Sequence, residues 1–218
     1  GASPTLGAMV DHVSRTRPCH IITVDEPVEV LHRDDRGLVS QLEVPDDVVT
    51  LAEGVRAACR FDADVIAISD LGHRDVALAA LGAVARGPLV LAATGGGTVR
   101  SVVDGFLELF PFEERPNVRH TLARSLAGAV AQRLLPGTDG RRHPVAEVLV
   151  NTPKMEHVLA EESRMEELAA LLGEGVFHGM QTRDQALRDQ VRAGRIAEGT
   201  ALAAATDPEE LRIELLRS

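Results

Sequence analysis

Apolar residues fall into two kinds of spacing along the first two thirds of the chain. Leu6, Met9, Val10 and Val13 recur at three- and four-residue intervals, which predicts a helix over Thr5 to Arg15 that Pro18 ends. His20-Ile21-Ile22-Thr23-Val24 is instead a continuous apolar run with the length and β-branched content of a buried strand. From Pro27 to Val44 the pattern alternates around Asp34-Asp35-Arg36-Gly37 and reads as a β-hairpin with a polar tip. Asp46 or Asp47 is the expected cap of a following helix to Arg60. Val65-Ile66-Ala67-Ile68 predicts another short strand, an alanine-rich helix is expected from Asp75 to Arg86, and Leu89 to Ala93 is a third strand. A glycine run and a helix to Phe110 come next, then a helix from Glu113 to Leu126. The Pro136-Gly137 break and the apolar run Val145 to Val150 predict a second hairpin at the edge of the sheet. Beyond Asn151 the pattern is helical. Thr152-Pro153 opens a short helix, Gly173 and Gly175 interrupt, and three amphipathic segments run to Ser218.

Short strands separated by helices are the signature of a parallel sheet covered on both faces, so the fold class is α/β. The change to a purely helical pattern predicts a core over residues 1–150 and a C-terminal helical subdomain over 151–218. With 218 residues, 44% of them hydrophobic and 26% charged, the chain can build a sizeable core. None of its apolar runs reaches the ~20 residues of a membrane-spanning helix.

Charge narrows the function classes. Acidic residues number 33 against 23 basic ones, a formal charge of −10 that opposes adhesion to nucleic acid or anionic lipid. Aromatic residues make up 2% of the chain, all Phe, which removes the stacking platforms used by single-strand binders. No nucleic-acid partner is expected. Cys19 and Cys59 cannot form a zinc site alone and fit a reducing compartment, so no metal site is expected and the cytoplasm is the expected location.

Ligands of open parallel sheets sit beyond the carboxyl ends of the strands. Three clusters lie there: Asp25-Glu26-Pro27-Val28-Glu29, Ser69-Asp70, and Thr94-Gly95-Gly96-Gly97-Thr98. Such carboxylates can orient water or hold magnesium for phosphoryl transfer, and they equally serve as helix caps and turn formers. The residues alone leave both readings open. The glycine run has neither a following lysine nor dinucleotide-fingerprint spacing and reads as a flexible connection. Arg141-Arg142-His143 reads as a solvated turn, and His178 as a structural residue.

The order of several motifs resembles the motor domain of the PilT-like type IV pilus retraction ATPases, within the secretion ATPases of type II and type IV systems. Thr5-Leu6-Gly7-Ala8-Met9-Val10-Asp11-His12 is similar to the helix after that family's phosphate loop, and His20 through Glu29 to its acidic box. Leu38 to Val44 resembles the strand that follows, and Phe177-His178-Gly179-Met180-Gln181-Thr182-Arg183-Asp184-Gln185-Ala186-Leu187 resembles a late motif. The resemblance implies a RecA-like P-loop core that assembles into a hexameric ring and uses ATP with magnesium in pilus retraction (twitching motility) or secretion. It implies motor ATPase subunits and an inner-membrane pilus or secretion platform as partners, with a location in the cytoplasm or peripherally at the inner membrane. An N-terminal domain and the first core strand would then precede Gly1. A monomer or weak oligomer is expected for the isolated chain, and a homo- or hetero-oligomeric ring at full length.

Departures from the family pattern fall on the chemistry. Gly1-Ala2-Ser3-Pro4-Thr5 occupies the end of a degenerate phosphate loop, where Ala2 stands in place of the lysine that neutralises phosphate charge. Lys154 is the only lysine in the chain. The acidic box has Asp25 then Glu26 where the family has Glu then Asp, with Glu29 following, and Ser69-Asp70 replaces Gly-Glu. Gly72 and His73 replace an arginine and an aspartate, Leu42 replaces another arginine, and Gly95 holds the position of a histidine sensor. Asp25, Glu26, Glu29 and Asp70 are thus the degenerate catalytic equivalents, and nucleotide binding is expected to be weak or lost. The expected function is a non-hydrolysing structural or regulatory subunit of a pilus motor. The alternative is an active motor with an unconventional site built on Asp25, Asp70 and an arginine.

Overall fold

In the computed structural model, which describes residues 1–217, β1 (His20–Asp25) and β3 (Val65–Ile68) form the centre of a four-stranded sheet. The strand order is β2-β1-β3-β4, with β2 (Leu38–Glu43) and β4 (Leu89–Ala92) at the edges and all pairings parallel. The central strands are apolar on both faces because helices cover both. On one face α1 (Ala2–Thr16) sets Val10 against Ile21, Val65 and Ala67. On the other, α2 (Leu51–Arg60) and α3 (Arg74–Val84) pack Leu51, Val55, Val76 and Ala80 against Ile22, Val24, Ile66 and Ile68. β4 is equally apolar yet only partly buried, as an edge strand is.

Two expectations for this region are corrected. Residues 27–37 contain no strand, and β2 runs parallel to β1, so the segment is a crossover and not a hairpin. Pro27 has no N–H to give to a ladder. The backbone of the segment is satisfied by side chains: Val28 N–H donates to Glu43 Oε1 (3.0 Å) and His32 N–H to Gln41 Oε1 (2.9 Å), while Gln41 Nε2 donates to Val30 O (2.9 Å). Neither Asp46 nor Asp47 caps α2. Thr50 does, its hydroxyl accepting from Glu53 N–H at 3.2 Å, while Asp47 turns back to accept from Glu43 N–H at 2.9 Å.

The chain divides into two compact units, the first comprising residues 2–95 and 104–125. Its later part is the end of α4 (Val99–Glu108) and α5 (Arg115–Ser125). Arg74 crosses to Glu114 with two hydrogen bonds of 2.8 and 2.9 Å, and its guanidinium lies 5.8 Å from the centre of the buried Phe110 ring.

The second unit holds Gly1, residues 96–103 and the chain from Leu126 onward. β5 (Gly128–Pro136) and β6 (Arg142–Val150) form an antiparallel hairpin that is a sheet of its own, correcting the expectation of an edge of the main sheet. Among the described residues five α-helices follow: α6 (Pro153–Ala160), α7 (Leu168–Glu174), α8 (Arg183–Arg192), α9 (Glu198–Ala204) and α10 (Pro208–Leu216). Val145 of β6 joins Leu187, Ile196, Ala201 and Leu211 in one core, so compactness groups the hairpin with these helices and does not divide the chain at residue 150. Among the described residues no helix is long and apolar enough to cross a membrane.

Candidate functional site

The parallel register places Val24 beside Ile68 and Ile68 beside Ala92, so the residues after β1 and β3 emerge together at the carboxyl edge of the sheet. A cleft of about 90 Å³ opens there, lined by Asp25, Glu26, Glu29 and Asp70 together with Ser3 and His32. The four carboxylates read from the sequence are therefore brought to one place. Of Gly1-Ala2-Ser3-Pro4-Thr5, Ser3 alone lines the cleft. Gly95 does not line it, and a side chain there would meet nothing within 4 Å.

Asp25 is the most constrained of the acids. Its Oδ2 accepts a 2.5 Å hydrogen bond from the Thr23 hydroxyl, and its pKa is raised above the ordinary carboxylate value. Burial is the largest cause; Glu43 and Glu29 push the same way, while the Thr23 hydroxyl and His32 oppose. Glu26 N–H donates to Ser69 Oγ at 3.2 Å, which ties the acidic segment to the end of β3. Asp70 closes a local turn by accepting from Gly72 N–H at 2.9 Å; a β-carbon on residue 72 would lie 2.9 Å from Asp70 Oδ2, so the carboxylate would have to swing aside to admit one.

His32 and Asp11 were not legible as a pair. His32 Nδ1 lies 2.7 Å from Asp11 Oδ1, and the imidazole is only 4% exposed. They stand 21 residues apart on an irregular segment and a helix, and no spacing rule joins such positions.

Elsewhere the polar residues are structural. The glycine run, expected to be a flexible connection, is tied at its end: Gly97 O accepts from the Arg183 guanidinium, and Val99 N–H donates to Glu147 Oε2 at 2.9 Å. Thr98 and Ser101 cap α4 reciprocally, Gly97 and Thr98 N–H both donating to Ser101 Oγ. The late motif splices the α8 helix to the hairpin. Gln181 pairs its backbone with Val148 and donates from Nε2 to Ala146 O at 2.8 Å, and Thr182 with Gln185 forms a capping box on α8. His178 sits edge-on to the exposed Phe177 ring at 5.5 Å.

A parallel sheet with carboxylates gathered at its carboxyl edge beside the first helix defines an α/β protein that takes ligands at that edge, and its likeness to the secretion and pilus motor ATPases makes this a RecA-like P-loop core. Residues 1–198 match the model of the type II/IV secretion system protein family, and the chain belongs to that family. It is 31% identical over 212 residues to a twitching motility protein of Neisseria gonorrhoeae, covering 97% of this chain and 56% of that one. It is also 31% identical over 209 residues to the type IV pilus retraction ATPase PilT of Pseudomonas aeruginosa, covering 96% and 60%. A crystal structure of the pilus retraction motor PilT with bound ADP superposes with a TM-score of 0.86 at 29% identity, covering 97% of this chain and 60% of that one. The chain therefore spans little more than half the length of the relatives it matches.

Proposed function

We propose that the chain is a PilT-like domain acting as a non-hydrolysing, structural or regulatory subunit of a pilus or secretion motor. The observation that carries this reading is the lining of the cleft, which has four carboxylates and no lysine or arginine among the described residues. In the phosphoryl-transfer enzymes built on a phosphate loop, a lysine meets the phosphates and magnesium bridges them. Here Ala2 holds the lysine position, Ser3 is the one residue of the degenerate loop at the cleft, and Gly95 cannot offer a side chain to a terminal phosphate. A nucleotide brings further negative charge to a protein at −10. The ADP in the related motor supports an ancestral nucleotide site, while the charge of this cleft supports its weakening.

On this reading ATP with magnesium binds at millimolar concentration or above, about 4 kcal/mol of binding free energy. Gly1 to Thr5, Asp25, Glu26, Glu29 and Asp70 are remnants of the site. The domain joins a ring, with copies of itself or with active motor subunits, in the cytoplasm against an inner-membrane platform. Phosphate release from the full-length protein, with and without Ala2→Lys, is the test. Turnover indistinguishable from background in the wild type is the expected result. Robust turnover abolished by Asp70→Ala would sink the reading and establish an active motor with an unconventional site.

A further inference from the structure

A second hollow, of about 390 Å³, lies in the C-terminal unit and shares no residue with the acidic cleft. Its floor is apolar: Met155 from α6, Leu171 from α7, and Met180, none more than 8% exposed. Lys154 and Glu174 stand at its rim, 3.5 Å apart. Between two further lining residues the chain makes the tight turn Gly175–His178, which holds Val176 and Phe177 out into solvent, Phe177 at 95% exposure. Hydrogen bonds fix the turn, Met180 N–H donating to Gly175 O at 3.1 Å and Gly179 N–H to Val176 O at 3.0 Å. The phenyl ring is therefore displayed on a fixed frame beside the hollow. An aromatic anchor next to a methionine-lined depression that can adapt to its guest is the make-up of a protein contact.

Charge selects the partner. From Thr152 to Thr182 there are six glutamates against one lysine and one arginine. Lys154 is engaged by Glu174 and Arg164 by Glu167, which leaves Glu156, Glu161, Glu162 and Glu166 without an ion pair among the described residues. A second copy would bring the same excess of negative charge to this face, and an anionic lipid surface would be repelled in the same way.

We propose that the hollow and the Phe177 turn dock a basic amphipathic helix of a partner protein. Such a helix delivers two apolar side chains one turn apart, at i and i+3 or i+4, onto the floor of Met155, Leu171 and Met180. Phe177 packs alongside them, and lysines or arginines on the flanks of the helix meet the unpaired glutamates. Shape supplies the contact and charge excludes acidic competitors. Because no residue is shared with the acidic cleft, the contact is independent of whether nucleotide binds there.

The test follows isotope-labelled methionine methyl groups in the 218-residue chain by magnetic resonance. Of the four methionines, Met155 and Met180 line the hollow, whereas Met9 and Met165 do not. The probe is a synthetic helix of about fourteen residues with leucines at i, i+3, i+4 and i+7 among lysines. Saturable shifts at Met155 and Met180 with Met9 unmoved are expected. Phe177→Ala, at an exposed position, should weaken binding at least fivefold, as should replacing the probe's lysines with glutamate. Glu161→Gln/Glu162→Gln/Glu166→Gln, also at exposed positions, should weaken it and lessen its dependence on salt. The proposal is overturned by silence at Met155 and Met180, by binding unchanged in either variant, by an alanine/lysine probe binding as well, or by equal shifts at Met9. A stronger response to phosphatidylglycerol vesicles would make the occupant a lipid. A response to protein concentration without probe would make it a second copy. Either outcome also overturns the proposal.

Discussion

Asp25 shows how a single residue registers its surroundings. A carboxyl whose pKa is raised by folding holds its proton more tightly in the folded state, so its contribution to stability falls as pH rises above the ordinary carboxylate range through the raised value. At about pH 7 the ionised group therefore opposes folding. Asp25→Asn keeps an oxygen to accept from Thr23 and removes the charge, so it is expected to raise the melting temperature near neutrality and to flatten the gain in stability on acidification. Thermal denaturation across pH checks this, and a lower melting temperature at neutral pH would contradict it. Gly54 is constrained by space. It lies in α2 where a β-carbon would overlap Val24 Cγ1, so Gly54→Ala is expected to destabilise by about 1–3 kcal/mol despite alanine's better helix propensity, as chemical denaturation would measure. Asp25 and Asp70 were legible because strand ends announce themselves in the hydrophobic pattern. Gly54 and the His32–Asp11 pair were not, because each depends on which distant backbone passes nearby.

At the scale of elements, the readable strands were the short continuous apolar runs: the interior of β1 and all of β3 consist of β-branched and small residues covered on both faces, and β4 has the same composition at the sheet's edge. The crossover at 27–37 was misread because alternation along a chain reports alternate burial and not pairing. What holds this segment is a pair of side chains from β2, Glu43 at Val28 N–H and Gln41 further along. Gln41 reaches both His32 N–H and Val30 O, acting as a substitute for a neighbouring strand. Gln41→Ala is expected to release the segment, speeding amide exchange at Val28 to His32 by tenfold or more, with a loss of about 1–2 kcal/mol, while exchange in β3 stays slow. Equal protection in the variant would remove Gln41 from this role. The late motif carries the opposite lesson. Its residues were legible only as a resemblance, and the structure gives them a mechanical reason: Asp184 accepts from the N–H groups of Thr206 and Asp207 at 2.8 Å each, while Thr182 caps α8. Thr182→Ala is expected to cost about 1 kcal/mol and to fray the first turn of α8, seen as faster exchange at Gln185, whose N–H bonds the Thr182 hydroxyl.

For the whole molecule, the decisive quantities are charge and extent. A ring closed head to tail needs two different complementary surfaces on every chain. This chain spans between 56% and 60% of the PilT-like relatives it matches, so surfaces built by the remainder of those proteins have no counterpart within its 218 residues. Its formal charge of −10 adds a repulsion between copies that salt screens over roughly 10 Å at 0.1 M. Both effects act against self-association of the isolated chain. Light scattering at micromolar concentration is therefore expected to give a monomer near 23.3 kDa. If repulsion contributes to that outcome, raising the salt should increase the average mass, whereas apolar or shape complementarity alone would leave it nearly unchanged. A stable hexamer of the 218-residue chain at low salt would show that it already carries both faces of a ring. Mixing with an active motor subunit separates the remaining cases. Co-assembly that Asp25→Asn/Asp70→Asn weakens would connect the acidic cleft to the ring contact, and co-assembly indifferent to those charges would place the contact elsewhere on the molecule.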